Sequence, residues 1–327
     1  MKAISLFSGG LDSQLAVCII KEQGITVEAI NFKSPFFGAE ESTIKAATAL
    51  NIKLHTIDLG NDYITAVLKN PVYGYGKNMN PCIDCHAFMF KKAGDLMQNL
   101  GAAFIVTGEV VGQRPMSQNK AALNAVNNLS GYKGYILRPL SAKLLPPTIP
   151  EIEGWVDRGK LEDISGRNRN RQIELAKKFN IIEYPSPAGG CLLTDSSFSN
   201  RLKKMLAIWP DSKPADMEIL RFGRHIYLEN NLLIVGRNKL ENEAIEAVAI
   251  EEDLLFKVVD RPGPTGLLRN HDKTNKELID TVGSIVARYS DAKADPLANV
   301  KVYNKFGTTI LTTKVQPIAA DQVPLIV

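Results

Sequence analysis

Three cysteines and one serine–glycine loop carry most of the chemistry that this sequence offers. Cys82 and Cys85 stand three apart in "NPCIDCHAF", and Cys191 follows in "AGGCLLTD". A Cys-x-x-Cys pair at the start of a helix can chelate a soft metal. It can also form a disulfide, with the helix start lowering a thiol pKa. Three thiolates in a two-plus-one pattern suit two chemistries. They can hold a [4Fe–4S] cluster and leave one iron open to extra sulfide. Alternatively, one cysteine carries a persulfide and another resolves it as a disulfide. The structural alternative is zinc, with His86 or an acid as fourth ligand. Cys18, inside "LAVCII", reads as core filler.

The second cluster is "LFSGGLDSQLAV", where Ser8, Gly9, Gly10, Leu11, Asp12 and Ser13 follow an apolar run. A loop joining a strand to a helix offers free backbone N–H groups and the positive end of the helix dipole, a setting for phosphate. The glycines allow close approach. Ser8 and Ser13 add hydroxyl donors, and Asp12 is suited to hold Mg²⁺ beside the phosphates. The loop has neither the Lys of a Walker A motif nor a Gly-x-Gly-x-x-Gly run. This argues against a kinase-type loop and a dinucleotide fold.

Strands and helices alternate around these residues. Strands are expected at Ala3–Phe7, Val27–Phe32, Lys53–Leu59, Ala103–Thr107 and Tyr135–Leu140. Helices are expected at Asp12–Gln23, Glu40–Leu50 and Cys85–Leu100. This order predicts an α/β fold, a parallel sheet with helices on both faces and ligands at the carboxyl ends of its strands. That edge collects Ser8–Ser13, the segment after Phe32, and Thr107–Gln113. Leu144–Pro150 reads as a break. Asn170–Phe179 and Phe198–Ala207 read as helices, with Pro185, Pro187, Gly189 and Gly190 between them, and Pro210–Pro214 as a linker. Beyond about residue 218, short strands in "RHIYLENNLLIVGRN", "LLFKVVDRPGP" and "VKVYNKFGTTILTTKV", with a helix near Asn275–Ser290, predict a smaller α+β domain. The domain reading is 1–150, 151–214 and 215–327.

With 45% hydrophobic and 23% charged residues, the chain has an ordinary globular composition. The net charge of +4 is unevenly spread. Residues 167–204 hold eight Lys/Arg against three Asp/Glu, whereas 215–327 hold 14 against 16. The local basic stretch could meet a polyanion. The start of the chain lacks an export signal, and no apolar run is long enough for a membrane span. A cytoplasmic location is expected, and four cysteines do not make a disulfide scaffold.

Ser8–Ser13 at the end of the first strand resembles the signature of the N-type ATP pyrophosphatases, the PP-loop family with its adenine nucleotide alpha hydrolase-like fold. "NPCIDCH" is similar to the Asn-Pro-x-x-x-Cys segment of bacterial tRNA 2-thiouridylases. "VTGEVVGQ" and "ILRPL" resemble segments of 4-thiouridine synthetases. The cysteine pattern is similar to that of tRNA thiolases carrying an iron–sulfur cluster. "LIVGRNKLENEAI" with "DLLFKVVDRPGP" is similar to the RNA-binding domain of the NFACT proteins.

The resemblance implies a tRNA sulfurtransferase using ATP and Mg²⁺ and carrying a [4Fe–4S] cluster. Ser8–Ser13 would grip the ATP phosphates, Phe32 would lie at the adenine, and Thr107 and Gly108 would line the nucleotide or target-base site. Asp12, Cys82, Cys85 and Cys191 are the catalytic candidates. Gln113, Arg114, Ser117 and Gln118 follow in a segment that could reach the same cleft. Arg167, Arg169, Arg171, Lys177, Lys178, Lys203 and Lys204 are candidates for the tRNA backbone, against the alternative of a solvated helical face. The expected partners are tRNA and a sulfur donor, either sulfide or a sulfur-carrier protein. For the C-terminal domain the alternative is a structural or dimer-forming role. With seven residues before Ser8, the amino-terminal RNA-capture module of 4-thiouridine synthetases is not expected, nor is a rhodanese-like domain. Competing readings are an ATP-dependent sulfur or amide transferase on a small molecule, and a non-catalytic nucleotide sensor that binds RNA.

Overall fold

The computed structural model describes residues 1–38, 41–185, 190–269 and 275–327. The predicted helix start at Glu40, and Pro187 and Gly189, lie outside the described residues. The chain divides into two units, Met1–Thr194 and Asp195–Val327.

In the first unit, β1 (Lys2–Leu6), α1 (Leu11–Lys21), β2 (Thr26–Lys33), α2 (Glu41–Ala49) and β3 (Leu54–Asp58) alternate as expected. A short α3 (Gly60–Tyr63) runs into a wide turn over Ile64–Leu68. Then come α4 (Cys82–Leu100), β4 (Phe104–Thr107), α5 (Lys120–Ser130), β5 (Ile136–Leu137), α6 (Ile149–Ile152) and α7 (Asn170–Lys178). All five strands are parallel, in the order β3-β2-β1-β4-β5. Ala3, Ile4 and Ser5 on the central strand are fully buried, so both faces are covered. Leu15, Ala16 and Ile19 of α1 pack in one cluster with Leu175 and Ala176 of α7. Leu6 pairs with Thr107 in the register of β1 and β4, so the loops after these strands leave the sheet side by side.

α4 ends at Gly101, whose φ of 63° is the left-handed conformation that terminates a helix. α5 was not expected from the sequence. Asn119 caps it by accepting from the Ala122 N–H (2.8 Å), and Gly131 ends it.

In the second unit, α8 (Ser196–Ile208), α9 (Pro214–Glu218), β6 (Arg224–Leu228), β7 (Asn231–Val235), α10 (Lys239–Val248), β8 (Leu254–Val258), β9 (Gly266–Arg269), α11 (Lys276–Arg288), β10 (Ala298–Tyr303) and β11 (Thr309–Val315) follow. The strands form one antiparallel sheet, β11-β10-β8-β9-β7-β6. α11 buries Val282, Ile285 and Val286 against Phe256, Val258, Val300 and Val302. Pro210–Pro214, expected as a linker, is a packed turn of this unit. Within it Ser212 is buried and donates to the Trp209 carbonyl (2.5 Å).

Candidate active site

The serine–glycine loop closes on itself at the edge where β1 ends. Ser13 Oγ donates to the Gly10 carbonyl (2.8 Å), Gln14 Nε2 to the Gly9 carbonyl (2.8 Å), and Thr43 Oγ1 of α2 to the Ser8 carbonyl (3.1 Å). Gly9 has φ +75°, and a Cβ there would lie 2.8 Å from Thr43 Cα. Only glycine meets both conditions without strain. Gly10 is the N-cap of α1, and its side chain-free face leaves the helix start open.

Asp12 and Gln113 meet across this loop. Gln113 Nε2 donates to Asp12 Oδ2 (2.9 Å), while the buried Asp12 Oδ1 has no hydrogen-bond partner among the described residues. A buried carboxylate oxygen left unpaired is costly, and a hard cation is the partner it suits. Gly108, leading out of β4, packs directly on the same helix start. A Cβ on it would lie 2.5 Å from both the Asp12 carbonyl carbon and the Ser13 nitrogen. Thr107 is buried beside it, and Phe32 is buried within β2 at 5% exposure.

The three cysteines line one cavity of about 150 Å³, together with His86, Tyr63 and Met89. Cys82 and Cys85 are set one helical turn apart by α4. Asn80 Nδ2 donates to Cys82 Sγ (3.2 Å). Asp84 fixes the preceding loop by accepting from the Val72 and Tyr73 N–H groups (2.6 and 3.1 Å). Cys191 arrives from far along the chain. Its segment is pinned by Leu192 N–H to the Phe36 carbonyl (3.0 Å) and by Asn78 Nδ2 to the Thr194 carbonyl (2.7 Å). Burial pushes the Cys191 thiol up to about 11, with Arg114 acting in the opposite sense. Burial also pushes Cys85 well up, opposed by the neighbouring Tyr63 hydroxyl. Cys18 packs against the core behind the loop, and burial raises its thiol to about 11.

A buried charge chain joins the two clusters. His86 Nδ1 lies 2.7 Å from Glu109 Oε1, and Arg138 Nε donates to Glu109 Oε2 (2.9 Å). Burial opposes ionisation of Glu109, but Arg138 and His86 outweigh it and hold its carboxyl below the ordinary range. Glu109 directly follows Gly108. One tripeptide, Thr107–Glu109, therefore abuts the phosphate loop and also anchors the wall of the cysteine cavity through His86. Glu109, Arg138, Tyr63 and Asn80 were not singled out as site residues from the sequence. Three of them stood in quoted segments, Asn80 in "NPCIDCHAF", Glu109 in "VTGEVVGQ" and Arg138 in "ILRPL".

The basic candidates are dispersed. Arg171 is engaged by Glu162 and Glu174 (3.0 and 3.1 Å), and Lys178 by Glu22 (2.7 Å). Arg169 stacks over Tyr184, while Arg167 and Lys177 are exposed. Lys203 and Lys204 stand on α8 in the second unit, with Lys204 over the Tyr227 ring. Among the described residues, no three His, Cys, Asp or Glu side chains converge on a single metal ion. Nor is any helix among them long and apolar enough to cross a membrane.

Residues 1–158 match the tRNA methyl transferase HUP domain. Residues 223–325 match the NFACT protein RNA binding domain. The first match spans the whole parallel sheet and the Ser8–Ser13 loop. The chain is similar to the tRNA-specific 2-thiouridylase of Marinobacter nauticus, 28% identical over 62% of this chain and 53% of that protein. It is similar over 99% of its length to the tRNA-specific 2-thiouridylase of Actinobacillus succinogenes, at 23% identity and 83% of that protein. A probable tRNA sulfurtransferase of Lysinibacillus sphaericus is 31% identical over 42% of this chain and 34% of its own. The chain spans about half the length of the first of the curated relatives it matches.

Proposed function

We propose that this chain is an ATP-dependent tRNA sulfurtransferase that replaces a uridine carbonyl oxygen with sulfur. One observation carries the reading: the Thr107–Glu109 segment serves the phosphate loop and the cysteine cavity at once, so activation and sulfur chemistry share one sheet edge. The similarity to 2-thiouridylases and to a probable sulfurtransferase supports the choice of substrate.

Expelling oxide from a uracil carbonyl is unfavourable. Attack of that oxygen on the α-phosphorus of ATP releases pyrophosphate and leaves an adenylate. AMP then departs as a sulfur nucleophile attacks the same carbon. The backbone N–H groups at the start of α1, with Ser8 and Ser13, stabilise charge on the phosphates, and Asp12 is the residue that would hold a Mg²⁺ ion to neutralise them further. Gln113 orients the Asp12 carboxylate.

Cys82, Cys85 and Cys191 line one cavity, and the two-plus-one thiol pattern supports a [4Fe–4S] cluster as what they hold. When bound there, such a cluster would supply an open iron for sulfide. In the domain assignment we propose, residues 1–150 activate the base, 151–214 bring Cys191 and the basic residues Arg167, Arg169 and Lys177, and 215–327 bind RNA. Sulfide or a carrier protein supplies the sulfur.

The test combines purified protein, ATP, sulfide and an unmodified tRNA transcript. Pyrophosphate release dependent on tRNA and a thionucleoside detected by mass spectrometry are expected. Full thiolation by Cys191→Ser would refute the three-cysteine reading. Anaerobic preparations without iron would sink the cluster.

A further inference from the structure

Residues 215–327 of the second unit are slightly acidic by count, yet one half of one sheet face is basic. The registers place Lys257 of β8 directly opposite Lys301 of β10, and Lys301 opposite Thr312 of β11. Asn299, two residues before Lys301, is opposite Lys314. Residues opposite each other in antiparallel strands share a face, as do positions two apart. Lys257, Lys301 and Lys314 therefore stand on three neighbouring strands of one face, away from α11, whose apolar residues pack on Phe256, Val258, Val300 and Val302.

Like charges directly opposite in a sheet are destabilising, and among the described residues none of these lysines is ion-paired. The nearby carboxylates are otherwise engaged. Glu246 accepts from Thr265 Oγ1 and the Tyr303 hydroxyl (both 2.9 Å), and Asp260 accepts from Asn299. The strip ends in the β10–β11 turn. There Phe306 is 68% exposed, with Lys305 Nζ 5.3 Å from its ring. An apolar ring presented to water beside unpaired cations is a platform for a stacked base next to phosphates.

We infer that this strip, Lys257, Lys301 and Lys314 with Phe306 at its end, is where the second unit holds an unpaired stretch of RNA. The inference rests on the reading that this unit binds RNA, and it names the face and the kind of strand. The lysines take successive phosphates, and Phe306 stacks on a base. A free polyanion would relieve the repulsion between Lys257 and Lys301, which no carboxylate among the described residues does.

The experiment titrates full-length protein into a fluorescent unmodified tRNA transcript at salt from about 50 to about 200 mM. Each phosphate contact on single-stranded RNA contributes about −0.7 to the salt slope. The Lys257→Ala/Lys301→Ala/Lys314→Ala variant is expected to lower the magnitude of that slope by about 2. Phe306→Ala is expected to weaken binding by about 5- to 150-fold with the slope unchanged. A control with Lys239, Lys276 and Lys293 changed to alanine should retain both affinity and slope. Wild-type binding with an unchanged slope in the first variant overturns the proposed face and leaves RNA binding by the unit standing. Phe306→Ala at wild-type affinity overturns the stacking assignment. Failure of wild-type protein to bind overturns the RNA reading itself, and the face with it. All four substituted residues lie at the surface or half-buried, and unchanged melting temperatures separate lost contacts from lost fold.

Discussion

Gly108→Ala tests the join between nucleotide loop and cysteine cavity. The added methyl would lie 2.5 Å from the Asp12 carbonyl carbon and the Ser13 nitrogen, and 2.6 Å from the Asp12 oxygen. All three are backbone atoms, so no rotamer change relieves the contact. Ordinary contact begins near 3.4 Å. Either the β4 exit or the start of α1 must move by about 0.9 Å. Overpacking of this kind costs about 1–3 kcal/mol, which for a unit of this size lowers the melting temperature by roughly 2–12 °C. A displacement near 1 Å at reacting groups costs about a hundredfold in rate. We therefore expect tRNA-dependent pyrophosphate release to fall about a hundredfold at temperatures where the variant remains folded. RNA affinity should change little. Gly10→Ala is the stability comparison, since its Cβ would meet only Ser8 Oγ at 3.4 Å with an ordinary backbone angle. If Gly108→Ala matched wild type in melting temperature and pyrophosphate release, the close approach would not be what sets the site.

Glu109→Gln breaks a buried charge chain and should cost about 3–5 kcal/mol by chemical denaturation; a loss below 1 kcal/mol would contradict the assigned pairing. Because the Glu109 carboxyl is held below its ordinary 4.5, its stabilisation is complete above that value and is lost as pH falls through the lower folded value. The Gln variant should flatten that part of the curve. His225 is buried and held at about 3 rather than 6.5, so the unfolded chain binds its proton first. Stability of the second unit should decline as pH drops below 6.5, by up to about 1.4 kcal/mol per unit, and an identical decline in His225→Gln would remove this residue as the cause. In metal-free protein at pH 8, Cys191 should be alkylated far more slowly than a free cysteine, because a thiol at about 11 is roughly one part in a thousand ionised. Rapid labelling, read by peptide mass spectrometry, would contradict its burial.

The succession of strands and helices in the first unit, the strand-to-helix loop at Ser8–Ser13 and the separate α+β unit were legible because each rests on local pattern. Apolar runs are bounded by turns, glycines follow a strand, and short strands flank Asn-rich and Gly turns. α5 was missed because "NKAALNAVNNLS" reads as polar, although Asn119 is a good cap and Ala122, Leu123 and Val126 form a buried stripe. Tyr63 was missed because its helix is a single turn running into a wide one, which carries no periodic signal. The Glu109–Arg138–His86 chain was out of reach for another reason. Its members lie just after β4, just after β5 and on α4, and nothing local says that a glutamate after one strand meets an arginine after the next. The basic stretch was legible as composition but not as a surface. Acidic neighbours take up Arg171 and Lys178, while the three lysines sharing a face in the second unit lie in a segment of opposite net charge.

The cysteine cavity also has an order in time. Cys82 and Cys85 are neighbours on one helix, whereas Cys191 lies 106 residues beyond Cys85 and is held by bonds to Phe36 and Asn78. At synthesis rates of about 5–20 residues per second, the first pair emerges roughly 5–20 s before the third thiol exists. During that interval the two thiols have neither their third companion nor the Leu192–Phe36 bond that pins its segment. Closing the cavity is a late, non-local event, so a nascent chain passes through an open two-thiol stage before it can hold anything that needs three.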